Sequence, residues 1–238
     1  MSLFDQPAGS GDAATRALSV TVVENDFVAQ VYQNLAYVYD YTFGPILHHG
    51  RIAALTRMAI RPGDEVLEVG VGTGISFDLY PPTCSVTGID VSSKMLDKAR
   101  ARILSQGFCH CDVHEMNAEQ LTFPDNSFDA VYAPYVISVV PDPVKVAREM
   151  YRVCRPGGRV VILNHFRSSN PLGSAIERAI SPMTVHLGFK ADLDLPGFLA
   201  QAKLDPVSIE KVNVPRIWTL VTVVKPHADQ SIAISPKQ

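Results

Sequence analysis

The 238-residue chain has few cysteines, no excess of basic residues and no long apolar run. Its 21 Lys and Arg residues stand against 24 Asp and Glu residues, and the net charge of −3 provides no positive field to gather nucleic acid. A chain of this length with four cysteines is not a disulfide scaffold. No apolar run is long enough to cross a bilayer, and residues 1–20 lack the basic start and apolar core of a secretory signal. These absences predict a cytoplasmic protein that binds no nucleic acid and contacts a membrane only peripherally.

A metal site is not expected either. Cys109, His110, Cys111 and His114 lie close together in the sequence. The stretch Phe108–Met116 is predicted to be a strand, which would place the two cysteines on one face and the two histidines on the other. The ligand spacings of zinc sites are also missing. We therefore predict no bound metal ion.

Apolar runs and helical patterns alternate along the chain. Strands are predicted at Glu65–Val69, Ser85–Val91, Phe108–Met116, Phe128–Val136, Arg159–Asn164, Ile209–Val214 and Trp218–Val224. Helices are predicted at Glu24–Phe43, Ile46–Met58, Ile75–Leu79, Lys94–Leu104 and Pro143–Val153. Ser92 is expected to cap the helix that begins near Lys94, and Gly107 to end it. The alternation is typical of an α/β protein with a parallel sheet and helices on both faces.

A glycine-rich segment, Glu68–Gly74, follows the first predicted strand and opens a helix. Glycine occurs there at every second position, which lets the backbone turn tightly and approach a ligand closely. The fingerprint of dinucleotide-binding proteins needs its third glycine where this chain has Ile75. Asp90 ends the second predicted strand, where a carboxylate can accept hydrogen bonds from both hydroxyls of a ribose. The two features together predict a ligand that carries a ribose.

A third motif, Asn117–Glu119, continues in Leu121, Phe123–Asp125 and Ser127–Asp129. Together with the glycine-rich segment, Asp90 and the turn Arg155–Gly158, it resembles the motif order of class I S-adenosylmethionine (SAM) methyltransferases. The resemblance covers residues 65–166. It implies SAM as the cofactor and a Rossmann-like α/β fold, with a doubly wound, mostly parallel seven-stranded sheet, an antiparallel last strand and N-terminal helices as a lid.

The same resemblance implies which residues hold SAM. Asn117 is expected to face the adenine amino group, and the Ala118 N–H its ring nitrogen. The family usually has Asp where this chain has Asn117, but an amide oxygen accepts the same hydrogen bond. The predicted cofactor-binding residues are Glu68, Gly70, Gly72, Thr73, Gly74, Asp90, Val91, Met95, Asn117 and Ala118.

Segments outside these motifs resemble bacterial phosphatidylethanolamine N-methyltransferases. They are Tyr37–Pro45, Gly50–Arg51, Val136–Pro143, Asn164–Phe166, Gly188–Phe189 and Asp192–Leu193. The resemblance implies stepwise methylation of the amine of phosphatidylethanolamine towards phosphatidylcholine. The implied partners are the phospholipid substrate and an anionic membrane surface at the inner face of the membrane, and no feature indicates an obligate protein partner.

The chemistry of this reaction suggests what the acceptor side must contain. The methyl group of SAM is already activated, so the enzyme mainly has to align an in-line displacement. The acceptor amine must be neutral, and an ammonium with a lysine-like pKa is about one part in a thousand neutral at pH 7, a handicap of about 4 kcal/mol. We predict Tyr39, Tyr135, Asn164 and His165 on the acceptor side, with His165 as a base or as a ligand of the lipid phosphate.

Other functions stay open on the sequence alone. Quinone-biosynthesis C-methyltransferases share several of the same segments, and they would need a base for a phenol or a ring carbon. A protein that binds SAM without catalysis would keep the cofactor motifs alone. Methylation of nucleobase amines is disfavoured, because Ala133–Tyr135 stands where those enzymes typically have Asn/Asp-Pro-Pro-Tyr. The cysteine of cytosine C5 enzymes and the acidic cluster of catechol enzymes are missing too.

The chain is predicted to consist of four parts. A disordered tail (1–20) precedes N-terminal amphipathic helices (21–60) that act as a lid or membrane contact. The SAM-binding domain (61–226) contains a lid insertion at about 167–205, and a loose tail (227–238) follows.

The first of these helices, Glu24–Phe43, has more apolar and aromatic residues than one buried stripe needs. A helix of this kind is expected to lie in the bilayer interface. Arg51 and Arg57 follow it and are expected to add attraction to anionic lipid.

Overall fold

The computed structural model describes residues 44–167, 193–213 and 217–227, and their side chains from residue 47 onward. The strands are β1 (Glu65–Val69), β2 (Ser85–Asp90), β3 (Cys111–Glu115), β4 (Phe128–Pro134), β5 (Cys154–His165), β6 (Pro206–Val212) and β7 (Trp218–Val224). The helices are α1 (Gly44–Met58), α2 (Ser93–Gln106), α3 (Pro143–Val153) and α4 (Leu195–Ala202), and a short 3₁₀ helix spans Phe77–Leu79. The predicted helix Glu24–Phe43, with Tyr39, and most of the predicted lid insertion lie outside the described residues, so the four-part division of the chain stays a prediction.

The seven strands form one sheet in the order β3-β2-β1-β4-β5-β7-β6. β1 pairs in parallel with both β2 and β4, whereas β7 runs antiparallel to its neighbours β5 and β6. This arrangement confirms the predicted fold class. The chain leaves β1 first towards β2 and β3, and later returns to β4 on the other side. The order therefore reverses between β1 and β4, and the crevice at the carboxyl ends of those two strands is where open α/β sheets bind ligands.

Helices cover both faces of the sheet. Ala54 of α1 and Leu96 of α2 join one buried apolar cluster, and Met150 of α3 and Phe198 of α4 join the other. The central strands contribute to both clusters, so β1 and β4 are buried along almost their whole length instead of at alternate residues.

The ends of α2 lie where the sequence predicts them. The Ser92 side chain accepts a hydrogen bond from the Met95 backbone N–H at 3.4 Å, and Gly107 ends the helix with φ +69°. Side-chain oxygens that bond the first N–H groups, and glycines that adopt a left-handed conformation, are the usual signals for helix ends.

Several predicted boundaries are wrong. The helix expected at Ile75–Leu79 is only the 3₁₀ turn, and the third strand begins at Cys111 instead of Phe108. Cys109 therefore precedes the strand and is exposed while Cys111 is buried, so the two thiols do not share a face. β4 stops at Pro134, and β5 begins five residues before its predicted start at Arg159.

The two arginines expected to attract anionic lipid also lie differently. Arg51 is buried, with 7% of its surface exposed. Arg57 forms a two-pronged ion pair with Glu210 of β6, at 2.7 and 2.8 Å. Neither side chain is a free surface cation in this fold.

The described part of the chain contains no group of three or more His, Cys, Asp or Glu side chains arranged to hold a metal ion. No helix within those same ranges combines the length and the apolar character needed to cross a membrane.

Candidate cofactor and acceptor site

The glycine-rich segment forms a tight loop between β1 and the 3₁₀ turn. Gly70, Gly72 and Gly74 all have positive φ angles, of +70°, +56° and +72°. A side chain on Gly70 would collide with Val136, because its Cβ would lie 2.6 Å from the Val136 Cγ2. A Cβ on Gly72 would meet no atom within 4 Å. The loop is therefore packed against protein at Gly70 and open at Gly72, where a ligand can approach the backbone.

Asp90 connects this loop with the start of α2. Its Oδ2 accepts a hydrogen bond from the Gly72 N–H at 3.0 Å, and its Oδ1 accepts one from the Ser92 N–H at 2.9 Å. Burial raises the pKa of this carboxyl, and hydrogen bonds from the backbone N–H groups of Ser92, Gly72 and Val91 oppose that rise. A carboxylate has about four lone-pair sites, so Asp90 keeps acceptor capacity for ribose hydroxyls beside these backbone donors. The structure thus brings the predicted residues Gly72 and Asp90 together.

The remaining predicted cofactor residues lie around the same end of the sheet. The Met116 N–H donates to the Asp90 carbonyl at 3.0 Å, which places the next residues, Asn117 and Ala118, beside the end of β2. Asn117 is exposed, and its Oδ1 accepts from the Glu119 N–H at 2.8 Å. Val91 is 60% exposed although it is apolar, so its side chain is open to contact with a ring.

Thr73 and Met95 are the last two predicted cofactor residues, and both are connected with α2. Thr73 is buried in the glycine loop, and its carbonyl accepts a hydrogen bond from Arg102 Nε at 3.1 Å. Met95 lies in the first turn of α2, partly exposed.

Glu68 lies buried beneath the glycine loop and not at an exposed surface where a ligand would contact it. It is 1% exposed, and its two carboxylate oxygens accept hydrogen bonds from Ser76 Oγ at 2.9 Å and Tyr80 OH at 2.7 Å. Burial raises the pKa of Glu68 to about 7, against the opposing effects of Tyr80, Ser76 and the charge of Arg51. Glu68 therefore holds the 3₁₀ segment under the glycine loop, and its predicted contact with SAM stays a prediction.

Ser76 and Tyr80 were not predicted as site residues. They follow Glu68 by eight and twelve residues, and this spacing is the only sequence signal that could have indicated their contact with it. The short 3₁₀ turn between Ser76 and Tyr80 disrupts the regular spacing that a helix would give.

Tyr135 follows β4 with an unusual backbone, φ +60°. A bulky residue in the left-handed region is strained and persists only where its surroundings hold it. Its N–H donates to the Leu163 carbonyl at 2.6 Å, and its hydroxyl donates to the Leu47 carbonyl at 2.9 Å. The same hydroxyl accepts from Asn213 Nδ2 at 3.0 Å. Gly50 packs closely here, since a Cβ would lie 2.7 Å from both Tyr135 OH and Asn213 Oδ1.

Arg51 lies over the ring of Tyr135. Its Cζ is 5.1 Å from the ring centroid, a cation–π distance. Because the ring belongs to the residue that directly follows β4, the guanidinium lies at the same edge of the sheet as the glycine loop. The sequence had placed Arg51 on the surface and not in this site.

Asn164 and His165 end β5 on opposite faces. Asn164 is completely buried, and its Oδ1 accepts from the Ser138 N–H and Oγ at 3.4 and 3.3 Å. It therefore holds the segment that follows β4. Strand alternation places His165 on the face of Leu163, which packs in the cluster of α1. Tyr135 packs against that same cluster, so His165 and Tyr135 share a face while Asn164 does not.

Comparison with known proteins agrees with this geometry. A family model described as "Methyltransferase domain" matches residues 67–162. A curated phosphatidylethanolamine N-methyltransferase from Cereibacter sphaeroides is 41% identical over 201 residues, which cover 84% of this chain and 98% of that protein. The chain belongs to the SAM-dependent methyltransferase family. As a methyltransferase it takes SAM as its cofactor, which confirms the predicted family, enzyme class and cofactor.

Two further comparisons describe how this methyltransferase relates to others. A ubiquinone/menaquinone biosynthesis C-methyltransferase from Hahella chejuensis is 33% identical over 166 residues, covering 65% of this chain and 66% of that protein. The crystal structure of phosphoethanolamine N-methyltransferase 2 from Haemonchus contortus, in complex with phosphomonomethylethanolamine and S-adenosylhomocysteine, has the same fold with a TM-score of 0.71. That match is 19% identical and covers 86% of this chain and 60% of the other.

Proposed function

We propose that this methyltransferase transfers methyl groups from SAM to the amine of phosphatidylethanolamine, stepwise towards phosphatidylcholine. The observation that carries the proposal is the 41% identity to the Cereibacter sphaeroides enzyme over 98% of its length. The quinone C-methyltransferase matches at 33% over 66% of its length, so the likeness to it is both weaker and shorter. The longer match extends well beyond the family domain at residues 67–162, into the parts of a methyltransferase that distinguish acceptors.

The glycine loop and the ends of β2 and β3 fit SAM. Gly72 leaves space above the backbone, and Asp90 keeps lone pairs for the ribose hydroxyls. Val91 offers an open apolar surface to the adenine, beside Asn117 and Ala118. SAM supplies an activated methyl group when it is bound in this crevice. Glu68 contributes by keeping the loop in place through Ser76 and Tyr80.

The acceptor side is assigned to the ends of β4 and β5. His165 lies there on the same face as Tyr135, where it can take a proton from the ammonium or bind the lipid phosphate. Asn164 acts as a positioning residue, because its amide bonds the Ser138 segment and is fully buried. Tyr39 is proposed as an acceptor contact from outside the described residues.

A methyl-transfer assay tests the substrate. The full chain is incubated with SAM carrying a labelled methyl group and with micelles that contain either phosphatidylethanolamine or a demethylated quinone precursor, and the products are separated by chromatography. We expect label in mono-, di- and trimethylated phospholipid, and at least about tenfold less with Asp90→Ala at a SAM concentration below the Kd of the parent. If only the quinone precursor is labelled, the proposal is wrong and the enzyme methylates a quinone ring. If neither substrate is labelled, the result favours a protein that binds SAM without catalysing this transfer.

Peripheral membrane association follows from a substrate that resides in a bilayer. We propose that the helix predicted at Glu24–Phe43 provides the contact, because its apolar surplus suits the interface. Co-sedimentation with anionic liposomes tests this with Phe27→Ser combined with Val31→Ser. Leu104→Ser is the matched control, since Leu104 is an apolar residue of α2 with 84% exposure. If the double variant pellets as well as the control, the helix does not anchor the protein.

A further inference from the structure

Arg51 carries a charge that the described part of the protein does not neutralise. The side chain is 7% exposed, and its Nε and Nη1 have no hydrogen-bond partner there. Its guanidinium is oriented by the Tyr135 ring, 5.1 Å from Cζ. A buried guanidinium without hydrogen bonds is costly, and such groups are normally paired. Among the described residues, Arg51 is thus a fixed, desolvated cation whose Nε and Nη1 have no hydrogen-bond partner.

The polar groups around Arg51 do not supply the missing partner. Glu68 is close enough for the charge of Arg51 to lower its pKa, but both of its oxygens are engaged by Ser76 and Tyr80. Burial raises the pKa of Tyr132 and the charge of Arg51 opposes that rise, and the Tyr132 hydroxyl is buried without a partner among the described residues. Within the described ranges, Arg51 therefore lies near an acid that is already bonded elsewhere and a Tyr132 hydroxyl without a partner.

The position of this cation identifies what it can bind. Tyr135 directly follows β4 and Glu68 is the second-last residue of β1, so Arg51 lies beside the crevice where the strand order reverses. A guanidinium held at fixed orientation is suited to a planar or tetrahedral oxyanion, which it binds with two parallel N–H donors. Gly50 keeps the helix close, because no side chain fits between it and Tyr135.

We infer that Arg51 is the anion-binding residue of this site, and that its guanidinium receives an oxyanion of a bound substrate. Two groups have this chemistry: the α-carboxylate of SAM and the phosphodiester of phosphatidylethanolamine. The phosphodiester alternative rests on the proposed function, whereas the carboxylate alternative needs only the cofactor of the family. In either case the binding energy comes partly from relief of an unpaired charge, so the ligand stabilises the protein more than its contact area alone would predict.

The test compares Arg51→Met with Arg57→Met in the full chain. Both changes remove an arginine from the same helix, but Arg57 is paired with Glu210 on the surface and lies outside the site. Without ligand, Arg51→Met is expected to unfold at the same or a higher urea concentration than the parent, because an unpaired buried charge is removed. A structural arginine would give the opposite result.

Calorimetry with S-adenosylhomocysteine and its decarboxylated analogue distinguishes the two anions. If Arg51 binds the carboxylate, Arg51→Met weakens the binding of S-adenosylhomocysteine by about tenfold or more. The parent then binds the decarboxylated analogue more weakly than S-adenosylhomocysteine by a similar factor, whereas the variant binds the two nucleosides equally well. If it binds the phosphodiester, both nucleosides keep their affinity to within about twofold, and KM for phosphatidylethanolamine in micelles rises about tenfold or more while kcat is largely kept. Arg57→Met changes none of these values.

Three results would overturn the inference. One is an Arg51→Met protein whose nucleoside affinities and lipid KM all stay near those of the parent. Another is an Arg51→Met protein that no longer folds, since the proposal requires a fold that does not depend on this charge. The third is an Arg51→Lys protein that binds as tightly as the parent, because a single ammonium cannot replace two parallel donors.

Discussion

The buried carboxyl of Glu68 gives the fold a specific pH dependence. Its pKa lies at about 7 in the folded protein, against an ordinary value of 4.5, because burial disfavours the charged form more than Tyr80, Ser76 and Arg51 favour it. Between those two pH values the folded chain keeps a proton that the unfolded chain releases. The free energy of unfolding therefore falls as the pH rises from about 4.5 to 7, and it levels off above that range. The full difference corresponds to a contribution on the order of 3 kcal/mol.

Glu68→Gln tests this contribution, because the amide resembles the protonated acid and can still bond Ser76 and Tyr80. Urea unfolding at several pH values from 5 to 8 is the measurement. At pH 5 the variant and the parent are expected to differ by about 1 kcal/mol or less, and at pH 8 the variant gains on the order of 2 to 3 kcal/mol relative to the parent. Glu115→Gln, which changes an exposed carboxylate at the end of β3, is the control. Parallel stability curves for the parent and Glu68→Gln would refute the assignment of a proton to Glu68.

Three further substitutions probe the site. Asp90→Ala is expected to weaken the binding of S-adenosylhomocysteine by on the order of 2 kcal/mol in calorimetry, and an unchanged affinity would show that Asp90 is not part of the cofactor site. His165→Ala should slow methyl transfer far more than it weakens the binding of S-adenosylhomocysteine. Loss of a limb in the pH–rate profile would indicate that His165 is a base, whereas a raised KM for the lipid with kcat kept would indicate that it binds the phosphate. A pH–rate profile and a KM equal to those of the parent would make His165 a structural residue. Gly50→Ala should lower the free energy of unfolding by about 1 to 3 kcal/mol and raise the lipid KM, because the new methyl group collides with Tyr135; normal values in urea and in the assay would show that the helix can move aside.

The features that the sequence predicts well depend on neighbouring residues. The glycine loop, Asp90 and both ends of α2 each need only a few consecutive residues, and the structure has them where the patterns indicate. The parallel sheet with helices on both faces also follows from the alternation of strands and helices, whereas the antiparallel last strand was implied by the family resemblance.

The features that the sequence does not predict depend on residues far apart in the chain. Arg51 has the appearance of a surface cation on a helix, and only the packing of α1 against the sheet shows that it meets Tyr135. β4 ends early because Leu163 and Asn213 hold Tyr135 in a left-handed conformation, which periodicity cannot reveal. Glu68 has the spacing of a ligand contact, but its oxygens are taken up by side chains of a turn that was expected to be helical.

The hydrogen bonds of Tyr135 have a consequence for the order in which this protein matures. They join the segment after β4 to Leu47 in α1, to Leu163 in β5 and to Asn213 after β6. The hydrogen bonds of the Asp90 side chain, in contrast, come from nearby residues such as Gly72 and Ser92. As the ribosome releases the chain, the cofactor loop can assemble long before Asn213 has been synthesised. The hydrogen bonds of the acceptor side therefore remain incomplete until the last hairpin, β6 and β7, has been synthesised and has joined the sheet.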